Sequence, residues 1–108
     1  MAYFTCPYLG SIIELTDERE RHIADHHPDL LPGHWERIAK TLSEPDQIRR
    51  SSRFSNARMF SRRFESLLGG KYVIVVVVSD SSLDRNWIVT AYIARKLAKG
   101  GDIEWKRD

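Results

Sequence analysis

A single cysteine, Cys6, stands in the whole chain, which excludes an internal disulfide and a cysteine-based zinc site and fits a reducing compartment. No stretch approaches the roughly 20 consecutive apolar residues of a membrane span. The opening MAYFTCPYLG lacks the basic start and long apolar run of a signal peptide, so a soluble, cytoplasmic protein is expected. A P-loop, a dinucleotide-binding glycine pattern and a Ser-His-Asp order are also missing, and Gly69-Gly70 reads as a hairpin turn. No internal repeat, low-complexity segment or linker interrupts the chain. Acid is missing from one place in particular. Between Gln47 and Phe64 there is no Asp or Glu, while Arg49, Arg50, Arg53, Arg58, Arg62 and Arg63 all fall there.

What is present describes one domain, 1–108. Its hydrophobic fraction of 42% and charged fraction of 30% are those of a folded globule with one core. The net charge of +2 is mild, but twelve of the seventeen basic residues are arginine, the side chain whose planar fork grips phosphate. A solvated basic surface is one reading of Arg49 to Arg63. An RNA or phosphate surface is the other.

Tyr72 to Val78, YVIVVVV, is an apolar, β-branched run closed by glycines before it and Ser79-Asp80-Ser81-Ser82 after it. That composition predicts a strand buried on both faces in the middle of a sheet. Earlier in the chain, residues 1–10 read as an arm or edge segment, and Ser11 to Leu15 as a short β-prone stretch. Thr16 followed by acids predicts an N-cap and a helix from about Asp17 to His26, stopped by His27-Pro28. A second helix is expected from about His34 to Leu42 on the stripe Leu31, Trp35, Ile38, Leu42. Alternation then predicts strands at Gln47 to Ser51, Ala57 to Phe64 and Trp87 to Ala94, with Ile103 to Trp105 as a further edge. Arg95 to Gly101 reads as a basic turn or short helix.

The expected fold is therefore α+β, with two N-terminal helices packed on one face of a four- to five-stranded antiparallel sheet. Residues 1–10 form the arm, 11–45 the helical part and 46–108 the sheet. The second face of that sheet is left for function. In the last strand, alternation sends Trp87, Val89, Ala91 and Ile93 towards the helices and Thr90 and Tyr92 to the open face. Phe60 and Phe64 face the helices on one reading and the open side on another.

Histidines carry the clearest chemistry. His22, His26 and His27 fall within six residues, and imidazole moves protons near neutral pH. Two histidines at i and i+4 can share a divalent ion, but the metalloprotease pattern needs Glu directly after the first, where this chain has Ile23. No metal and no cofactor are expected. The competing structural reading makes one histidine a helix cap and leaves the others solvated. Cys6 has no neighbouring base in sequence, and Tyr72, Tyr92, Trp87 and Trp105 read as packing residues before stacking platforms.

The phrases LTDERERHIADHHPDL, SEPDQIRRS, ARMFSRRF, KYVIVVVV and WIVTAYIARK, in this order over Leu15 to Lys96, resemble the small phage-associated members of the barnase, EndoU, colicin and RelE-like ribonuclease superfamily. The resemblance rests on His22-Ile23, His27-Pro28, Arg49-Arg50 and Thr90 to Tyr92. It implies helices on one face of an antiparallel sheet whose other face cleaves RNA without metal, by attack of a ribose 2′-hydroxyl on its own phosphate. It further implies His22 or His27 for proton transfer, Arg49, Arg62 or Arg63 on the phosphate, and Thr90 and Tyr92 to orient or donate to it. Arg50, Arg53, Arg58 and Arg63 would bind substrate. Toxin-like members act beside an antitoxin or immunity protein, which makes such a protein a second expected partner after RNA. His26 departs from the pattern by adding an imidazole before the His-Pro pair. Two other readings stand beside this one: a non-catalytic RNA- or ribosome-binding module using the arginines alone, and a protein-interaction domain.

Overall fold

The computed structural model describes residues 1–67 and 69–108. Its elements are β1 (Ala2–Cys6), β2 (Ser11–Leu15), α1 (Asp17–His26), α2 (Trp35–Ser43), β3 (Gln47–Arg50), β4 (Ala57–Phe64), β5 (Lys71–Asp80), β6 (Arg85–Ala94) and β7 (Ile103–Lys106). The strands form one sheet in the order β1-β2-β6-β5-β4-β3-β7. Every pairing is antiparallel except β2 with β6, which is parallel and short, with Glu14 opposite Trp87.

This corrects the expected fold class. The sheet is mixed and has seven strands, not four or five antiparallel ones. The arm is an edge strand, hairpinned to β2 through Pro7 to Gly10, with Phe4 and Cys6 buried and Tyr3 and Thr5 outside. The chain's end returns to the opposite edge, where β7 pairs with β3.

Local rules explain the helices. Thr16 caps α1 by accepting from the Arg19 amide at 3.2 Å, and Asp17, Glu18 and Glu20 sit in the first turn, where the helix dipole favours them. His27 closes the helix, its amide donating to the Ile23 carbonyl at 2.7 Å, and Pro28 prevents continuation. α1 lies along β6, and Arg19 donates to the Val89 carbonyl of that strand at 3.3 Å.

α2 packs against β4 and β5 and also against β1, three strands further round the sheet. A flat sheet cannot touch one helix at such separated places, so the sheet curls around α2. Phe4 of β1 stacks on Trp35 of α2, with ring centroids 6.1 Å apart. Just past β1, Tyr8 meets Phe60 of β4 edge-on at 6.3 Å, and its hydroxyl donates to Glu104 of β7 at 3.0 Å. The two edges of the sheet are thus joined across the end of the curl. Its concave face holds the core, built from Phe4, Ile13, Ile48, Phe60, Val75 and Ile88 with Ile23, Ile38 and Leu42 from the helices.

The convex face is not left open as expected. β6 and β7 are separated in the sheet by β5, β4 and β3, so Arg95 to Asp102 must cross one face to join them. Arg49 donates to the Gly100 and Gly101 carbonyls at 3.4 and 3.1 Å, and the Arg50 amide donates to the Asp102 carbonyl at 3.0 Å. Register puts Arg49, Ser61 and Ile74 on the side away from the core, and Ser61 and Ile74 are both 1% exposed. The crossing segment is a strap over that side, with Ala98 buried in it. The central strand is therefore covered on both faces, as its composition predicts.

A bulge between Val76 and Val77 on the β5–β6 ladder corrects one alternation. Below it Ile88 opposes Val77 and enters the core, and Trp87 opposes Val78 on the convex side. The extra residue in β6 reverses the expected faces of Trp87 and Ile88. Thr90, opposite Val76, and Tyr92, opposite Ile74, stay on the convex side.

Candidate active site

The end of α1 and the second half of β6 bring three of the sequence-predicted residues into one region. His27, half-buried just past α1, has its ring 6.0 Å from that of Tyr92, tilted by 38°. Thr90 precedes Tyr92 by one inward-facing residue on the same side of β6. His22 lies one turn before His26 on α1, and their rings stand 4.3 Å apart. The His26 Nδ1 donates to the His22 carbonyl at 2.9 Å, since a carbonyl can only accept. That bond places the proton of a neutral His26 ring on Nδ1.

The two kinds of titratable group here are shifted in opposite senses. Desolvation, reinforced by Arg19 and by His26, lowers the His22 pKa below its ordinary value. Its imidazole is neutral at pH 7 and ready to accept a proton. Desolvation raises the Tyr92 pKa above its ordinary value, so the phenol keeps its proton at any physiological pH. The neutral imidazole can accept a proton and the phenol can donate a hydrogen bond, the two kinds of group that proton-transfer chemistry uses. His22 and His26 also line an open depression of about 270 Å³ with Glu18, Arg21 and Asp25. No cluster of three or more His, Cys, Asp or Glu side chains placed to hold a metal ion occurs among the described residues.

The arginines do not converge on the histidines. Arg49 is clamped to the strap carbonyls and to Gln47 Oε1 at 3.2 Å. Arg50 and Arg58, on the concave side, both bond the Glu104 carboxylate at 3.0–3.2 Å. Arg62 donates to the Glu44 carbonyl at 2.5 Å, capping the end of α2, and lies over the Phe64 ring at 5.7 Å. Its Nε has no partner among the described residues. Arg63 pairs with Glu65 at 3.5 Å and donates to the Gly69 carbonyl. Arg53 alone of the six has no side-chain hydrogen bond or ion pair among the described residues. It is exposed, with its guanidinium 5.7 Å from the centre of the exposed Phe54 ring.

Sequence reasoning missed Glu104 and the strap. Glu104 stands far from the arginine run in sequence, and only the β7–β3 pairing delivers it there. The strap's signal is present in Arg95, Lys96 and Lys99, which read in sequence as part of a basic turn or short helix. A separate cleft of about 540 Å³ opens between the joined sheet edges, lined by Pro7, Tyr8, Pro45, Ile48, Trp105 and Arg107. Its polar side chains, Tyr8, Arg107, Ser43 and Glu44, already bond Glu104, the Glu44 carbonyl, the Lys40 carbonyl and the Lys40 ammonium, and it contains no histidine. Cys6 is buried, and desolvation raises its pKa, so it is a core thiol and not a nucleophile.

No protein-family model, curated protein or solved structure matches the chain. No helix among the described residues is long and apolar enough to cross a membrane.

Proposed function

We propose that the protein is an endoribonuclease of the cytoplasm, toxin-like, which cleaves RNA without a metal ion. The ribose 2′-hydroxyl attacks the adjacent phosphorus and gives up its proton to an imidazole. The bond to the 5′-oxygen of the next nucleotide breaks, that oxygen takes up a proton, and a 2′,3′-cyclic phosphate remains. His22 or His27 accepts the first proton, Tyr92 holds a proton against the phosphoryl oxygens or the leaving group, and Thr90 orients the phosphate. The observation that carries this reading is the approach of His27 to Tyr92 beside a histidine whose pKa is lowered. An antitoxin or immunity protein is the expected protein partner.

The reading is tested by the pH–rate profile of cleavage by wild type and Tyr92→Phe. If His22 is the base, its deprotonation limb lies below 6.5, the ordinary imidazole value. Loss of the phenol slows cleavage about 10²-fold, as expected when a general acid or positioning donor is removed. A Tyr92→Phe enzyme as fast as wild type would remove the phenol from the mechanism.

The non-catalytic alternative drew on the same six arginines. Five of them are bonded within the fold, so a binding module built on that run would have Arg53 as its free member.

A further inference from the structure

Three exposed cations free to meet a polyanion lie together on the strap. Arg95, Lys96 and Lys99 are all exposed, and none has an ion-pair or hydrogen-bond partner among the described residues, while Leu97 and Ala98 between them are turned inward. The segment cannot simply swing away. It leaves β6 two residues after Tyr92 and is clamped at its far end by the Arg49 guanidinium and the Arg50 amide. Gly101, at φ +62°, lies so close to the Arg50 carbonyl that a side chain there would overlap it. From β6 to β7 the crossing spans four strand spacings, roughly 19 Å. At its end a Cβ on Gly100 would come within 3.3 Å of Ser52 Oγ, so the strap abuts the turn that carries exposed Arg53 and Phe54.

We infer that the strap is the track for the RNA backbone: phosphates lie along Arg95, Lys96 and Lys99, leading from the His27–Tyr92 region to Arg53, where a base stacks on Phe54. This rests on the ribonuclease reading for its ligand. Its own basis is the clustering of three unpaired cations within five residues of one anchored segment. A single strand suits the track, because separated point charges hold phosphates without reading base edges and an exposed aromatic stacks any base.

The test measures binding of a fully 2′-O-methylated RNA oligonucleotide, which cannot be cleaved by 2′-hydroxyl attack, over a series of salt concentrations. Each phosphate contact to a single strand contributes about 0.7 to the slope of log K against log salt. The variant Arg95→Gln/Lys96→Gln/Lys99→Gln should therefore lose about 2 from the slope, with unchanged melting temperature. Phe54→Ala should weaken binding about ten-fold with the slope intact. The variant Arg37→Gln/Lys40→Gln/Lys106→Gln removes equal charge elsewhere and should keep most of the slope. Equal losses in the two triple variants, or none in the first, would overturn the track. So would binding of poly-glutamate that equals or exceeds RNA binding and falls with the strap variant, which would assign the strap to an acidic protein. Cleavage of ordinary RNA, assayed in parallel, separates the two ideas: a strap variant that binds and cleaves like wild type ends the track alone, and a wild type that binds along the strap but never cleaves ends the ribonuclease reading alone.

Discussion

Glu104, on the edge strand β7, accepts from Arg50, Arg58 and Tyr8 and so turns two apparent substrate ligands into parts of the scaffold. Its side chain is 22% exposed, and that of Arg58 is 16% exposed. Desolvation on its own would raise the Glu104 pKa, but the hydrogen bonds from Arg50, Arg58 and Tyr8 outweigh it and hold the carboxyl below its ordinary 4.5. A carboxylate with a lower pKa folded than unfolded binds fewer protons in the native state. Its stabilisation is complete above the unfolded value and is lost as the pH falls through the folded one. Glu104→Gln should cost about 2 kcal/mol at pH 7, because two guanidinium groups lose a charged acceptor. The gap to wild type should narrow below pH 4.5 in urea titrations. A gap that is constant from pH 7 to pH 3 would show that the carboxylate's charge contributes nothing. The absence of acid between Gln47 and Phe64 was plain in the sequence. The acid that answers it comes from another strand, and no local pattern signals such a pairing.

Elements were legible where their own composition decided them. The β-branched run of β5 and the alternation of β4 fix those strands, and Thr16 with its following acids fixes the start of α1. β1 was harder, read only as an arm or edge segment because five residues at a sheet edge carry too few alternations to stand out, whereas the edge strand at Ile103 was expected. The bulge in β6 was invisible, because an extra residue changes the pairing without changing the composition. The strap depends on a glycine in the same way. Gly101→Ala would place a methyl group on the Arg50 carbonyl in a left-handed conformation and should cost about 2 kcal/mol or more. Gly10→Ala, at φ +61° with open space around it, pays the backbone term alone, about 1 kcal/mol. Melting both variants checks the difference, and equal losses would mean that the strap is not held against Arg50.

At the scale of the molecule, the curl of the sheet gathers the core on one side. Its concave side takes the core and the Glu104 network, and its joined edges enclose Phe60 beneath Tyr8. Phe60→Ala should cost about 3–5 kcal/mol by equilibrium unfolding. Phe54→Ala, at a side chain already 60% exposed, should stay within about 0.5 kcal/mol. The convex side and the end of α1 keep what is left for chemistry: His22, His27, Thr90, Tyr92 and the cations of the strap. Four of the six residues expected to be catalytic are in that group. Arg49 and Arg62 are not, because each has its guanidinium engaged by backbone carbonyls, Arg49 by those of Gly100 and Gly101 and Arg62 by that of Glu44, which Arg107 also bonds.

Proton transfer by these histidines is tested most directly by incubating purified protein with a mixed RNA pool in excess EDTA and identifying the product ends. Wild type should leave 2′,3′-cyclic phosphates, and His22→Ala or His27→Ala should lower the rate by about 10²–10⁴-fold while melting as wild type does. Intact RNA from folded wild-type protein, or cleavage by both variants at the wild-type rate, would contradict the account.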